Sequence, residues 1–153
     1  LAVGLSYEGL AWIAGAALML APALPSWRIA TLALMYSIGA HGIMTLNDFK
    51  SVSGDRAMGI GSLPVRLGVV DAARVACLVM LIPQIFVSVA LVLWGRPLHA
   101  AAIAALVLVQ LVMMKYFLAQ PTERARWYSG FGVPLYVAGM LVSAFALTGA
   151  SHG

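Results

Sequence analysis

Long uncharged apolar stretches alternate with short polar ones along the chain. Runs without a charge lie at Gly9–Trp27, Ile29–Leu46, Val75–Gly95, Pro97–Met114 and Tyr128–Ser151. Each approaches the roughly 20 residues that a helix needs to cross a hydrocarbon core about 30 Å thick. Membrane-spanning strands would instead alternate over segments of about ten residues, and these continuous Leu, Ala, Val and Met runs do not. A helix also satisfies its own backbone hydrogen bonds in lipid. The pattern therefore predicts an all-α, polytopic transmembrane helix bundle with five spans in this chain. Pro22, Pro25 and Pro97 mark the short turns on one side. Pro83 and Pro134 fall inside runs and are expected to kink their helices.

Composition strengthens this picture. Of the 153 residues, 63% are hydrophobic and 9% charged, against about a quarter charged in soluble domains. A water-soluble fold of this size has too little interior to hide so much apolar surface. The net charge of +4 does not point to nucleic acid, because the basic residues are not gathered on a soluble face. They report topology instead. Lys50, Arg56, Arg66 and Arg74 follow the second run, and Lys115, Arg124 and Arg126 surround the connection after the fourth. Only Arg28 and Arg96 fall at the opposite turns. The positive-inside rule assigns the richer side to the cytoplasm. Trp12, Trp27, Trp94, Trp127 and Tyr128 lie near the expected span ends, as an interfacial aromatic belt would. Cys77, the single cysteine, excludes a disulfide within the chain and reads as a buried apolar residue. The sequence opens at Leu1 with no visible signal peptide, and this start suggests a fragment with more protein upstream.

The connection from Asn47 to Arg74 is much longer than the others and holds three of the five acids: Asp48, Asp55 and Asp71. If the second helix continues past Leu46, Asp48 and Asp55 are about two turns apart. Asn47, Ser51 and Asp55 then follow at four-residue spacing on nearly one face. Two carboxylates at a membrane mouth suit Mg²⁺, which takes hard oxygen ligands, keeps several waters and is completed by substrate phosphates. Lys50 and Arg56 would add positive charge for those phosphates. Spacing alone leaves open a solvated juxtamembrane loop whose acids balance its bases. Gly54, Gly59, Gly61, Pro64 and Gly68 predict turns that fold the segment back on itself. Asp71 reads as a cap or dipole partner of the next helix.

The polar residues within the runs carry less. His41, expected to face the bundle interior, is a candidate acceptor contact, with a packed, hydrogen-bonded histidine as the plainer reading. Lys115 either snorkels to the interface or reaches an anionic substrate. Gln84 and Gln110 are expected to join helices. Gly39 and Gly42, with Ala40, are expected to let helices approach closely.

The stretch Asn47-Asp48-Phe49-Lys50-Ser51-Val52-Ser53-Gly54-Asp55-Arg56, with Met58-Gly59 and Ser62-Leu63-Pro64-Val65-Arg66-Leu67-Gly68, resembles the second aspartate-rich motif of the UbiA-type membrane prenyltransferases. Within that superfamily it is most similar to the chlorophyll and bacteriochlorophyll synthases. Tyr36 to Leu46, Ser6 to Leu10 and Trp127 to Tyr136 are similar too, so the likeness runs along essentially the whole chain.

The resemblance implies that residues 1–153 are the last five helices of a nine-helix fold, the C-terminal part of one prenyltransferase domain. The N-terminal helices and first aspartate-rich motif would lie in a missing N-terminal half of the same protein. It implies Mg²⁺ held by Asp48 and Asp55 as catalytic metal ligands, with Asn47, Lys50 and Arg56 binding the diphosphate of a prenyl diphosphate. The acceptor it implies is the propionate of (bacterio)chlorophyllide, esterified by a geranylgeranyl or phytyl group. The setting it implies is the lipid bilayer of a bacterial inner or photosynthetic membrane. Transfer to a quinone precursor or haem, or a non-enzymatic transporter or membrane-subunit fragment, are the alternatives. Relatives usually carry Glu where this chain has Ser53, which lowers the local negative charge. With half of the implied metal site absent, the isolated chain is expected to be inactive.

Overall fold

A computed structural model describes residues 5–148, and among these all regular structure is helical. A π-helical turn at Leu5–Gly9 leads into α1 (Leu10–Leu20). The long helices are α2 (Trp27–Asp48), α5 (Val69–Leu93), α6 (Pro97–Ala119) and α7 (Pro121–Thr148). Two short helices, α3 (Val52–Ala57) and α4 (Leu63–Leu67), form the connection between α2 and α5. Helix α7 packs against α6, α5 and α2, while α5 lies between α2 and α6 and α1 leans on α2.

Four helices, not five, are long and apolar enough to cross a membrane among the described residues. The first expected span, Gly9–Trp27, ends as a helix at Leu20 and gives way to a turn around Pro22 and Pro25. Neither ring leaves a backbone N–H to continue the ladder. The later helices extend beyond their apolar runs. Helix α5 begins at Val69, six residues before its run, so Asp71 lies in its first turn and pairs with Arg74 at 2.9 Å. Asp71 therefore complements the helix dipole and does not cap, since the N-cap is Gly68 at φ 85°. Helix α7 starts at Pro121, which suits a first helical position, and the far end of its expected span, Ser151, lies outside the described residues. Pro83 and Pro134 are embedded within α5 and α7.

Close approach of α2 and α5 depends on Gly42. A Cβ there would fall 2.6 Å from the Ala76 carbonyl and 2.6 Å from Met80 Cγ. At Gly39 the place of a side chain is taken by the Tyr136 hydroxyl, which donates to the Tyr36 carbonyl at 2.9 Å. Polar side chains tie the rest together, as expected of Gln84 and Gln110. Gln84 Nε2 donates to Gln110 Oε1 at 2.8 Å, and Gln110 Nε2 donates to the Tyr128 hydroxyl at 3.1 Å. In lipid, where apolar burial gives little drive between helices, such bonds and small-residue contacts hold the bundle.

The aromatic belt is only partly as expected. Trp27 and Trp94 meet edge to face at 5.4 Å, with the Arg28 guanidinium 5.6 Å from the Trp94 ring. Trp127 packs on Tyr116 at 4.8 Å. Tyr128, however, is fully buried, and half-buried Trp12 stacks on buried Tyr36 at 5.8 Å. Both sit on core-facing positions, where an aromatic ring packs better than in the headgroup layer. Cys77 is buried, as expected.

Candidate functional site

The chemistry-bearing connection begins where α2 ends. The helix does not run on to Asp55. Its ladder tightens after Leu46, with the Lys50 N–H reaching the Asn47 carbonyl at 3.2 Å and the Ser51 N–H reaching the Asp48 carbonyl at 3.1 Å. These are three-residue closures of the kind that terminate helices. A new helix then starts, with the Asp55 N–H donating to the Ser51 carbonyl at 2.8 Å. The two carboxylates thus lie on separate helices joined by a turn, not on one continuous face.

They are nevertheless held together. Ser51 Oγ donates to Asp55 Oδ2 at 3.1 Å and also lies 3.3 Å from the Asp48 carbonyl. Asp55 is buried, 8% exposed, while Asp48 is half-buried. Asp48 accepts a hydrogen bond from the Leu63 backbone N–H at the start of α4, and both Asp55 and His41 lie within electrostatic range of it. Glycine at Gly59 (φ 69°) lets the chain after α3 fold back so that α4 reaches this position, and Gly68 (φ 85°) turns the chain from α4 into α5. Phe49 fixes the turn from below. It is buried and meets Phe117 of α6 edge to face at 5.7 Å, and Phe117 stacks on Tyr128 at 5.1 Å.

Around the acids the basic groups are exposed. Lys50 Nζ donates to Asn47 Oδ1 at 3.1 Å. Arg56 is exposed, and the ion pair found among the described residues is Arg74–Asp71, which includes neither Lys50 nor Arg56. Asn47, Asp48, Lys50, Asp55 and Arg56 therefore occupy one end of the bundle, with half-buried His41 two turns into α2. Lys115 is exposed near the end of α6 and lies off the face that carries Met114 and Phe117. Among the described residues no cluster of three or more His, Cys, Asp or Glu side chains is found. The donors present are two carboxylates and a serine hydroxyl, all hard oxygen. That set suits a Mg²⁺ ion that keeps water and phosphate ligands, and falls short of a closed protein cage.

One contributor was not visible in the sequence. The Leu63 N–H that holds Asp48 is a backbone group brought back by the fold. Ser51 stood out through its four-residue spacing from Asp55, and it bonds that carboxylate at 3.1 Å.

The comparison with protein families decides the classification: residues 1–132 match the UbiA prenyltransferase family. The chain belongs to that family. UbiA relatives cover nearly all of it. It is 54% identical over 147 residues to the bacteriochlorophyll synthase 33 kDa chain of Cereibacter sphaeroides, a match that takes in 96% of this chain and 48% of that protein. The protein of the same description from Rhodobacter capsulatus is 48% identical over 149 residues, 96% of this chain and 49% of the relative. Chloroplastic chlorophyll synthase of Arabidopsis thaliana is 40% identical over 148 residues, 95% of this chain and 37% of the plant protein. The chain thus spans about half the length of its bacterial UbiA relatives. No solved structure matches it.

Proposed function

We propose that this chain carries part of the active site of a Mg²⁺-dependent UbiA enzyme that esterifies (bacterio)chlorophyllide with a geranylgeranyl or phytyl group. The observation that carries the reading is that Asp48 and Asp55 lie within electrostatic range of each other at one end of an apolar bundle, with Ser51 bonded to the Asp55 carboxylate and the Leu63 N–H to that of Asp48. The names of the relatives support the acceptor.

In this account Asp48 and Asp55 would hold Mg²⁺, with Asn47, Lys50 and Arg56 around the diphosphate. When bound, the ion supplies positive charge that stabilises the departing diphosphate oxygen. Lys50 and Arg56 add charge-assisted hydrogen bonds to the same oxygens as negative charge grows there. The allylic C–O bond breaks, and its electron pair leaves with diphosphate. A propionate oxygen of the acceptor then forms the new C–O bond, giving the ester and free diphosphate. No protein base is needed, because a carboxylic acid is already ionised at neutral pH. The apolar helices keep water from the carbon that acquires cationic character. His41 and Lys115 are the acceptor contacts we propose, one inside the bundle and one at its rim.

The same account puts the Asp48–Asp55 end on the cytoplasmic side, since seven of the nine basic residues belong to it. Two carboxylates make half of a two-motif site, so residues 1–153 alone are expected to give no turnover. The test uses membranes carrying the full gene product, supplied with Mg²⁺, geranylgeranyl diphosphate and bacteriochlorophyllide. Esterified pigment supports the acceptor assignment. Its absence from well-folded protein, with product formed from a quinone precursor or haem instead, would overturn it.

A further inference from the structure

Two polar chains cross the interior of the bundle and stop just short of each other. In the first, Gln84 Nε2 donates to the Met80 carbonyl at 3.0 Å and to Gln110 Oε1 at 2.8 Å, and Gln110 continues to Tyr128. In the second, the Tyr36 and Ser143 hydroxyls lie 2.6 Å apart, and Ser143 Oγ donates to the Gly139 carbonyl at 2.8 Å. Ser143 has one proton, and the Gly139 carbonyl takes it. Tyr36 must then donate to Ser143, which leaves Tyr36 Oη with a lone pair to offer.

Gln84 Oε1 is buried and has no hydrogen-bond partner within the protein, although Gln84 itself is 0% exposed. Turning the amide over does not help. It would set Oε1 against the Met80 carbonyl and Gln110 Oε1, acceptor against acceptor. The residue facing this orphan oxygen is Gly139. Beyond its own helix backbone, a Cβ placed there would meet Gln84 Oε1 at 3.6 Å and Tyr36 Oη at 3.7 Å. A space of at least methyl size therefore touches one unpaired acceptor and one hydroxyl with a spare lone pair.

We infer that Gln84 Oε1, Tyr36 Oη and the bare backbone at Gly139 form a binding site for one buried water molecule. The water donates one proton to each oxygen and joins the two chains, so that α2, α5, α6 and α7 share one hydrogen-bonded network. Buried polar atoms without partners are rare in native proteins, and internal waters with two or more polar contacts are the usual remedy. The inference stands apart from the prenyl-transfer reading, since none of these residues belongs to the Asp48–Asp55 end.

The test exploits a reversal of sign. Gly to Ala inside a helix ordinarily stabilises, and at Gly139 the methyl meets nothing beyond its own helix backbone closer than 3.6 Å. If water occupies the space, Gly139→Ala expels it and strands both oxygens. In detergent-solubilised full gene product, Gly139→Ala is then expected to lower the thermal unfolding midpoint by a few degrees. Gly139→Ser brings its own hydroxyl and is expected to recover at least half of that loss. A water-to-amide NMR cross-peak is expected at the Gln84 side chain of the parent protein and not in Gly139→Ala. A midpoint raised by Gly139→Ala, or a parent Gln84 amide without a water cross-peak, would overturn the site.

Discussion

Replacing Leu63 by proline removes one hydrogen-bond donor from the proposed site, along with leucine packing that an alanine control also removes. The Leu63 N–H donates to the Asp48 carboxylate, and proline has no N–H to donate. The backbone tolerates the change. Leu63 is the first residue of α4, where proline is favoured. Ser62 before it is already extended, at φ −62° and ψ 160°, as a residue preceding proline prefers. A hydrogen bond to a charged group contributes about 1.5–3 kcal/mol. Asp48 is half-buried, so solvent screening trims this to about 1–2 kcal/mol. If Asp48 holds the metal and diphosphate in the geometry of the transition state, that loss corresponds to a roughly 5- to 30-fold drop in kcat/KM. The assay is pigment esterification across a Mg²⁺ titration, with Leu63→Ala as the control. Leu63 packs partly against the core, and the alanine variant loses that packing while keeping the N–H. Equal activity in the proline and alanine variants, both well folded, would refute the argument that this bond positions Asp48.

Two further predictions concern the bundle. Gly42→Ala is expected to destabilise by about 1–3 kcal/mol, as overpacking does, because its methyl would press on the Ala76 carbonyl and Met80; unfolding in mixed micelles reads this out, and an unchanged midpoint would contradict the close α2–α5 contact. Gln110→Leu removes the acceptor of Gln84 and the donor to Tyr128, and is expected to cost about 1–3 kcal/mol, measured in the same way.

The helical architecture was legible in the sequence because lipid makes its demands through long uncharged runs. Helix ends were less legible. Apolar runs report which residues sit in hydrocarbon, whereas a helix continues as far as its backbone ladder permits. Asp71 and Arg74 lie within α5 and Arg124 within α7 for that reason. At α1 the opposite happened, and apolar residues after Leu20 turned away at two prolines. The acids were readable as a pair, but the means of joining them was not. The two acids sit on either side of a helix break at Phe49–Ser51, and Asp48 is held by a backbone N–H that returns from fifteen positions further along, at Leu63. Tyr128 looked interfacial from its place at the start of an apolar run. Only the packing of α7 on α6 shows that it completes a buried network.

The most direct test of the central claim compares Asp48→Asn, Asp55→Asn and Asp71→Asn in the full gene product, assayed for Mg²⁺-dependent ester formation. Each change keeps the side-chain shape and removes one charge. Asp48 and Asp55 belong to the proposed site, whereas Asp71 is an exposed partner of Arg74. Loss of the two site charges is expected to lower kcat/KM by about 100- to 1000-fold each, the scale of removing one main electrostatic contact to a transition state. Asp71→Asn is expected to match the parent, since an exposed ion pair contributes little. Full activity in either site variant, or an equal loss in all three, would contradict the assignment of Asp48 and Asp55 as the pair that holds metal and diphosphate.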